Sequence, residues 1–187
     1  MKLKLIAAAS LVAFSSLASA QSSMTVTYGV KDTDATPSVQ SHAVNMNVKT
    51  RAFSNVDVDG GIQTETADKT NAVTNRYELG LTPGFNITNV VRGDVRVATG
   101  WKQKSGVENF SYYSVEPGVT AKFGDLSARV AYRYRNAYES ANADRSDTTR
   151  LSVGYALTKQ DSIRIGRDWQ RGDGANTQTT IAYTRSF

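Results

Sequence analysis

Apolar and polar side chains alternate with a period of two from residue 24 to the last residue, as they do in β-strands with two unlike faces. The first segment sets Met24, Val26, Tyr28 and Val30 against Thr25, Thr27 and Gly29, and the second sets Val44, Met46 and Val48 against Asn45, Asn47, Lys49 and Arg51. Val56, Val58 and Ile62 then oppose Asp57, Asp59 and Gln63, and Val73, Tyr77, Leu79 and Leu81 oppose Thr74, Arg76 and Glu78. The fifth segment opposes Val91, Val95, Val97 and Trp101 to Arg92, Asp94 and Arg96. The sixth opposes Val115, Val119, Ala121 and Phe123 to Ser114, Glu116, Thr120 and Lys122. Leu126, Ala128, Val130, Tyr132 and Tyr134 face away from Ser127, Arg129, Arg133 and Arg135, and Leu151, Val153, Tyr155 and Leu157 away from Arg150, Ser152 and Gly154. The ninth sets Ile163, Ile165 and Trp169 against Arg164, Gly166, Asp168 and Gln170; the tenth sets Thr179, Ile181, Tyr183, Arg185 and Phe187 against Gln178, Thr180 and Thr184.

About ten strands follow, with eight or twelve as neighbouring counts, each roughly 9–12 residues long, the length of a tilted strand that crosses a bilayer. Longer polar connections at 31–41, 65–72, 102–108, 139–147 and 171–177 alternate with shorter ones near 54–55, 82–89, 123–125 and 158–161. That layout predicts an all-β fold, a closed antiparallel transmembrane β-barrel with long loops at one end and short turns and both termini at the other. A soluble sandwich would use the same alternation with its apolar face inward. Aromatic residues at the strand ends favour the barrel, as two interfacial girdles: Trp101, Tyr112, Tyr138 and Trp169 by the loops, Phe53, Phe85, Phe123 and Phe187 by the turns. Closure also removes unprotected sheet edges. Arg167 and Asn75 fall on the apolar face, where an Arg near an interface reaches headgroup phosphates. Pro117 inside the sixth strand and the adjacent Tyr112-Tyr113 pair predict a β-bulge.

Residues 1–20 read as a cleaved signal peptide: Lys2 and Lys4, an apolar run from Leu5 to Leu17, and Ala18-Ser19-Ala20 before the cut. Residues 21–187 then form a single barrel domain. There is no cysteine, so no disulfide braces a secreted chain. The net charge of +5 falls further once Lys2 and Lys4 are removed, too little to argue for nucleic acid.

With the polar face inward, the lumen cations are Lys49, Arg51, Arg76, Arg92, Arg96, Lys122, Arg129, Arg133, Arg135, Arg150 and Arg164. The lumen acids are Asp57, Asp59, Glu78, Asp94, Glu116 and Asp168. An arginine-rich passage favours anions, because the guanidinium forks onto carboxylates and phosphates. The expectation is a small porin for anionic or polar solutes. The alternative is a non-conducting structural or surface-interaction barrel plugged by ion pairs, since few-stranded barrels can be filled by side chains; a barrel enzyme, with His42 as its one candidate, ranks third.

Arg129-Val130-Ala131-Tyr132-Arg133-Tyr134-Arg135, followed by Asp147-Thr148-Thr149-Arg150-Leu151-Ser152-Val153-Gly154-Tyr155, resembles the oligogalacturonate-specific porin family over about two strands and their loop. The resemblance implies a small monomeric barrel whose passage is lined by Arg129, Arg133, Arg135 and Arg150. The terminal strand, through Ile181, Tyr183 and Phe187, resembles the signal read by the barrel-assembly machinery, with Arg185 departing from the usual hydrophobe. The expected location is the outer membrane of a Gram-negative bacterium. The expected partners are membrane lipid, lipopolysaccharide, the assembly machinery and small anions. No cofactor or metal is expected: acids are scattered and the one histidine, His42, has no His-x-Ser or Asp-x-His spacing, so neither metal binding nor enzymatic chemistry is foreseen.

Overall fold

The computed structural model describes residues 21–33, 40–106, 108–139, 142 and 144–187. Residues 1–20, where the leader and its cleavage site are expected, lie outside them. Ten strands follow in order: β1 (Ser22–Thr33), β2 (Gln40–Phe53), β3 (Val56–Ala67), β4 (Val73–Asn86), β5 (Val91–Lys104), β6 (Phe110–Phe123), β7 (Leu126–Ala137), β8 (Ser146–Ala156), β9 (Asp161–Gly172) and β10 (Asn176–Ser186). Each pairs antiparallel with its neighbour in sequence, and β10 pairs with β1 to close the barrel. At that seam Phe187 donates its backbone N–H to Ser22 O at 2.8 Å.

Burial is inverted relative to a soluble protein. The buried set is largely polar and charged, including Asp57, Asp59, Asp94, Glu116, Ser114 and Arg135, while the buried apolar set is mostly alanine. Leu79, Val97, Val130, Val153, Ile165 and Ile181 are all at least half exposed. An apolar surface of this extent has no stable place in water, and a lipid solvent accounts for it. The sandwich alternative fails on this point, because its Val and Leu face would be the buried one. The fold is a transmembrane β-barrel. In hydrocarbon every backbone N–H and C=O needs a partner, and closure through β1 and β10 supplies the last row.

The strands run 11–14 residues, longer than the alternation alone marks out. The extra length lies mainly at the loop ends, where threonine and charged residues blur the pattern. The expected long connection over 171–177 shrinks to residues 173–175. The expected short connection over 82–89 is mostly strand, with only 87–90 between β4 and β5. That turn and the one at 157–160 are built alike. Thr88 Oγ1 accepts the N–H of Val90 and Val91, and Thr158 Oγ1 accepts those of Gln160 and Asp161. The two-residue turn after β6 uses Gly124 at φ +60, a conformation that costs glycine nothing.

Pro117 brings no bulge. The register from β6 to β5 is unbroken, and toward β7 it resumes at Gly118–Ala131 where it left off at Val115–Tyr134. A missing N–H costs the ladder a bond without adding a residue to the strand. Among the described residues the register shifts between Arg51 and Phe53, beside the turn after β2. Nor do Tyr112 and Tyr113 break the alternation: Tyr112 shares the inward face with Ser114 and Glu116.

Candidate functional site

Alternation on every strand sends one set of side chains into the barrel, and charge sorts them into three tiers along its axis. At the turn end Asp57 receives Lys49 Nζ at 3.0 Å and Arg51 Nε at 2.9 Å, with Arg92 at 4.0 Å. Lys122 and Arg164 share this tier. At mid-height Arg96 forks onto Asp59 (2.6 Å) and Glu78 (3.0 Å), and Glu78 also receives Arg133 and the Tyr112 hydroxyl (2.9 Å). Arg129 meets Asp94 at 2.5 Å, and Arg150 bridges Glu116 (2.8 Å) and Asp168 (3.1 Å). At the loop end Glu65 holds Lys31 (2.9 Å) and Arg76 (3.1 Å), while Asp144 holds Lys102 (2.6 Å) and Arg135 (2.8 Å).

Pairing is close, but exposure is unequal. The Lys49 and Arg150 side chains are 45% and 37% exposed, whereas the carboxylates they meet, on Asp57 and Glu116, are 6% and 8% exposed. In these two pairs the acid lies against the wall and the cation covers it, so the surface a solute meets there is basic, whereas Arg96 and Glu78 at mid-height are equally exposed. The tiers also differ in net charge. Each cation of the two upper tiers is matched closely by acid, while at the turn end Lys49, Arg51 and Arg92 share Asp57 and neither Lys122 nor Arg164 makes an ion pair among the described residues.

A cavity of about 1350 Å³ opens at the turn end, beside Phe187 and the 87–90 turn, and rises to mid-height. A second space of about 40 Å³ continues toward the loop end. Gln63, Arg76, Arg133, Arg150, Asp168 and Gln178 line both and mark the narrowing between them. The Nε atoms of Arg76 and Arg133 there are buried with no acceptor, leaving donors for water or an anion.

Each lumen cation and acid expected from the sequence lines one of the two spaces. Tyr112 is a correction: expected among the interface aromatics, it is fully buried inside the barrel. Gly100 makes that possible, because a Cβ there would fall 2.5 Å from Tyr112 Cζ. The inward parity of Tyr112 was readable from Ser114; its aromatic chemistry argued the other way. Trp101, Tyr138, Trp169, Phe123 and Phe187 are all exposed, Phe187 at the rim of the cavity. Lys31, Glu65, Lys102 and Asp144 were missed. The first three are inward residues of strand ends that the alternation left as loop, and Asp144 belongs to the β7–β8 connection, where no periodicity marks an inward position.

On the outer face, Arg167 Nη1 donates to Thr179 Oγ1 at 2.8 Å and Thr64 donates to Asn75 Oδ1 at 2.9 Å, so each polar intruder is satisfied by the adjoining strand. His42 also faces outward, with Nδ1 2.7 Å from the Tyr28 hydroxyl and Nε2 3.2 Å from Asp68. Ser41 points into the lumen and donates to Glu65, so it gives His42 no nucleophile. Among the described residues no cluster of His, Asp or Glu is arranged to hold a metal.

No protein-family model matches the chain, and no curated protein matches its sequence. Solved structures do resemble it. The KdgM porin in complex with disordered oligogalacturonate is similar at 13% identity and a TM-score of 0.53, over 88% of this chain and 99% of that one. An outer-membrane channel from Pseudomonas putida F1 is similar at 9% identity and a TM-score of 0.59, over 90% of this chain and 96% of that one. The β-domain of the Bordetella autotransporter BrkA is similar at 12% identity and a TM-score of 0.54, over 90% and 100%. At these identities the likeness is one of fold, and the fold is that of porin, channel and autotransporter barrels.

Proposed function

We propose that this protein is a small outer-membrane porin, with its turn end in the periplasm, that lets small anionic or polar solutes diffuse through a narrow arginine-rich lumen. The observation that carries this reading is the unequal exposure of the paired charges. Lys49 and Arg150 face the cavity while Asp57 and Glu116 lie behind them. In a confined, low-dielectric passage that bias concentrates anions. Fold likeness to the KdgM porin agrees with a channel and leaves the solute open. The leader at 1–20, contact with lipopolysaccharide, and recognition of Ile181, Tyr183 and Phe187 by the assembly machinery belong to the same proposal. The test is a planar bilayer under a salt gradient. The reversal potential should report anion preference, and Lys49→Gln with Arg150→Gln should shift it toward cations. A folded barrel that never conducts, at any salt, removes the porin.

One observation favours a second reading. The loop-end tier, Lys31–Glu65–Arg76 and Lys102–Asp144–Arg135, closes much of that end with ion pairs. A silent barrel in the bilayer would select this reading: a structural or surface-interaction barrel.

A further inference from the structure

Two lumen cations are left over. Each of the other basic side chains named in the three tiers lies within 4.0 Å of a carboxylate, whereas Lys122 and Arg164 make no ion pair among the described residues. They stand on one rung of the wall. Lys122 pairs with Ser127, Ser127 with Gly154, and Gly154 with Arg164. Three strand spacings, about 14 Å of wall, separate the two backbones, with only a hydroxyl and a glycine between them. The hollow over Gly154 is structural: a Cβ there would come within 2.8 Å of Ser127 Oγ. Beyond Arg164 the rung continues with Ala182, again small and uncharged.

No acid forms an ion pair with either cation among the described residues. The acids nearest in charge to Arg164 are Asp168 and Glu116, and Arg150 already holds both, at 3.1 and 2.8 Å. Arg129, which flanks the hollow opposite Ser152, is taken by Asp94. Lys122, Ser127, Ser152 and Arg164 all line the 1350 Å³ cavity near its open end. A long Lys and a long Arg thus flank the small residues from either side.

We infer that the hollow between Lys122 and Arg164, floored by Ser127 and Gly154, is a binding site for a small anion carrying at least two negative charges, such as a diphosphate or a dicarboxylate. Two cations on opposite flanks match two anionic groups better than one, and the floor hydroxyl adds a neutral donor. The inference rests on the reading of the lumen as a water-filled anion path and names where along it an anion stops. It places that stop at the turn-end mouth, away from the narrowing.

The test is calorimetric titration of inorganic pyrophosphate into the folded full barrel in detergent at low salt, which needs no conduction. Lys122→Gln and Arg164→Gln should each weaken binding about tenfold, the loss of one charge-assisted contact. Arg164→Lys should retain most of it, and Lys104→Gln, at the loop end of β5, should leave it unchanged. Both Gln variants remove exposed, unpaired side chains, and a heat-shifted gel band confirms that each folds. No binding to the wild-type barrel, or binding indifferent to both Gln variants, overturns the inference. A barrel that binds pyrophosphate yet is silent in the bilayer keeps the site and loses the porin; one that conducts without binding does the reverse.

Discussion

Glu78 is the hub of the lumen at the residue scale. It alone ties Arg96, Arg133 and the Tyr112 hydroxyl together across β4, β5, β6 and β7. Glu78→Gln leaves Arg133 without its carboxylate while Arg96 keeps Asp59, a change that costs about 3 kcal/mol when the pair is buried. Water in the lumen lowers that figure. We expect a lower urea midpoint in lipid vesicles and, where the barrel conducts, a stronger anion preference. An unchanged midpoint and selectivity would show that the hub is ornamental. Gly100→Ala acts on the same cluster through shape. Its Cβ would meet the Tyr112 ring at 2.5 Å and the Tyr77 carbonyl oxygen at 2.7 Å, and the backbone atom cannot step aside. The variant should unfold at lower urea than Ala98→Gly, whose site is open to a smaller residue. Much at this scale was legible, since parity alone sends Arg129, Arg133 and Arg150 inward. Parity cannot say that Arg150 would gather both Glu116 and Asp168, because that needs the stagger between strands.

Strands read well from their alternation at the element scale, and their ends read poorly. The apolar rows of β7 and β8 are clean because lipid contacts each second residue through most of their length. Toward the loops lipid gives way to water on both faces, and residues such as Lys31, Glu65 and Lys102 no longer contrast with their neighbours. Proline was misread for a related reason. A bulge and a skipped ladder bond leave the same trace in sequence, and only register separates them. The structure therefore makes Pro117→Val a stabilising change. It restores a donor toward β7 with no residue to expel, worth about 1 kcal/mol. A raised urea midpoint is the expected result; a fall would mean that the β6–β7 gap is needed for another reason.

Over the whole molecule, stability comes from closure. Each backbone row is paired, with Phe187 and Ser22 completing the β1–β10 seam. The folded barrel should resist detergent unfolding and migrate differently on gels before and after boiling. Deleting Phe187 removes the seam bond together with the end of the proposed assembly signal. The heat-shifted fraction recovered from cells should fall severalfold, whereas refolding of the purified chain in detergent should fall less. Equal losses in both would assign Phe187 to the seam alone.

The account depends on which side of the wall meets lipid. The chain has no cysteine, so single cysteines can report this without interference. Ser152 and Val153 adjoin on β8, one lining the cavity and the other half exposed on the outer face. In vesicles, Ser152→Cys should react quickly with a charged, water-soluble thiol reagent, while Val153→Cys should resist it and its nitroxide-labelled form should be relaxed by lipid-dissolved oxygen. Fast aqueous labelling of Val153→Cys with protection of Ser152→Cys would reverse the two faces and contradict the account.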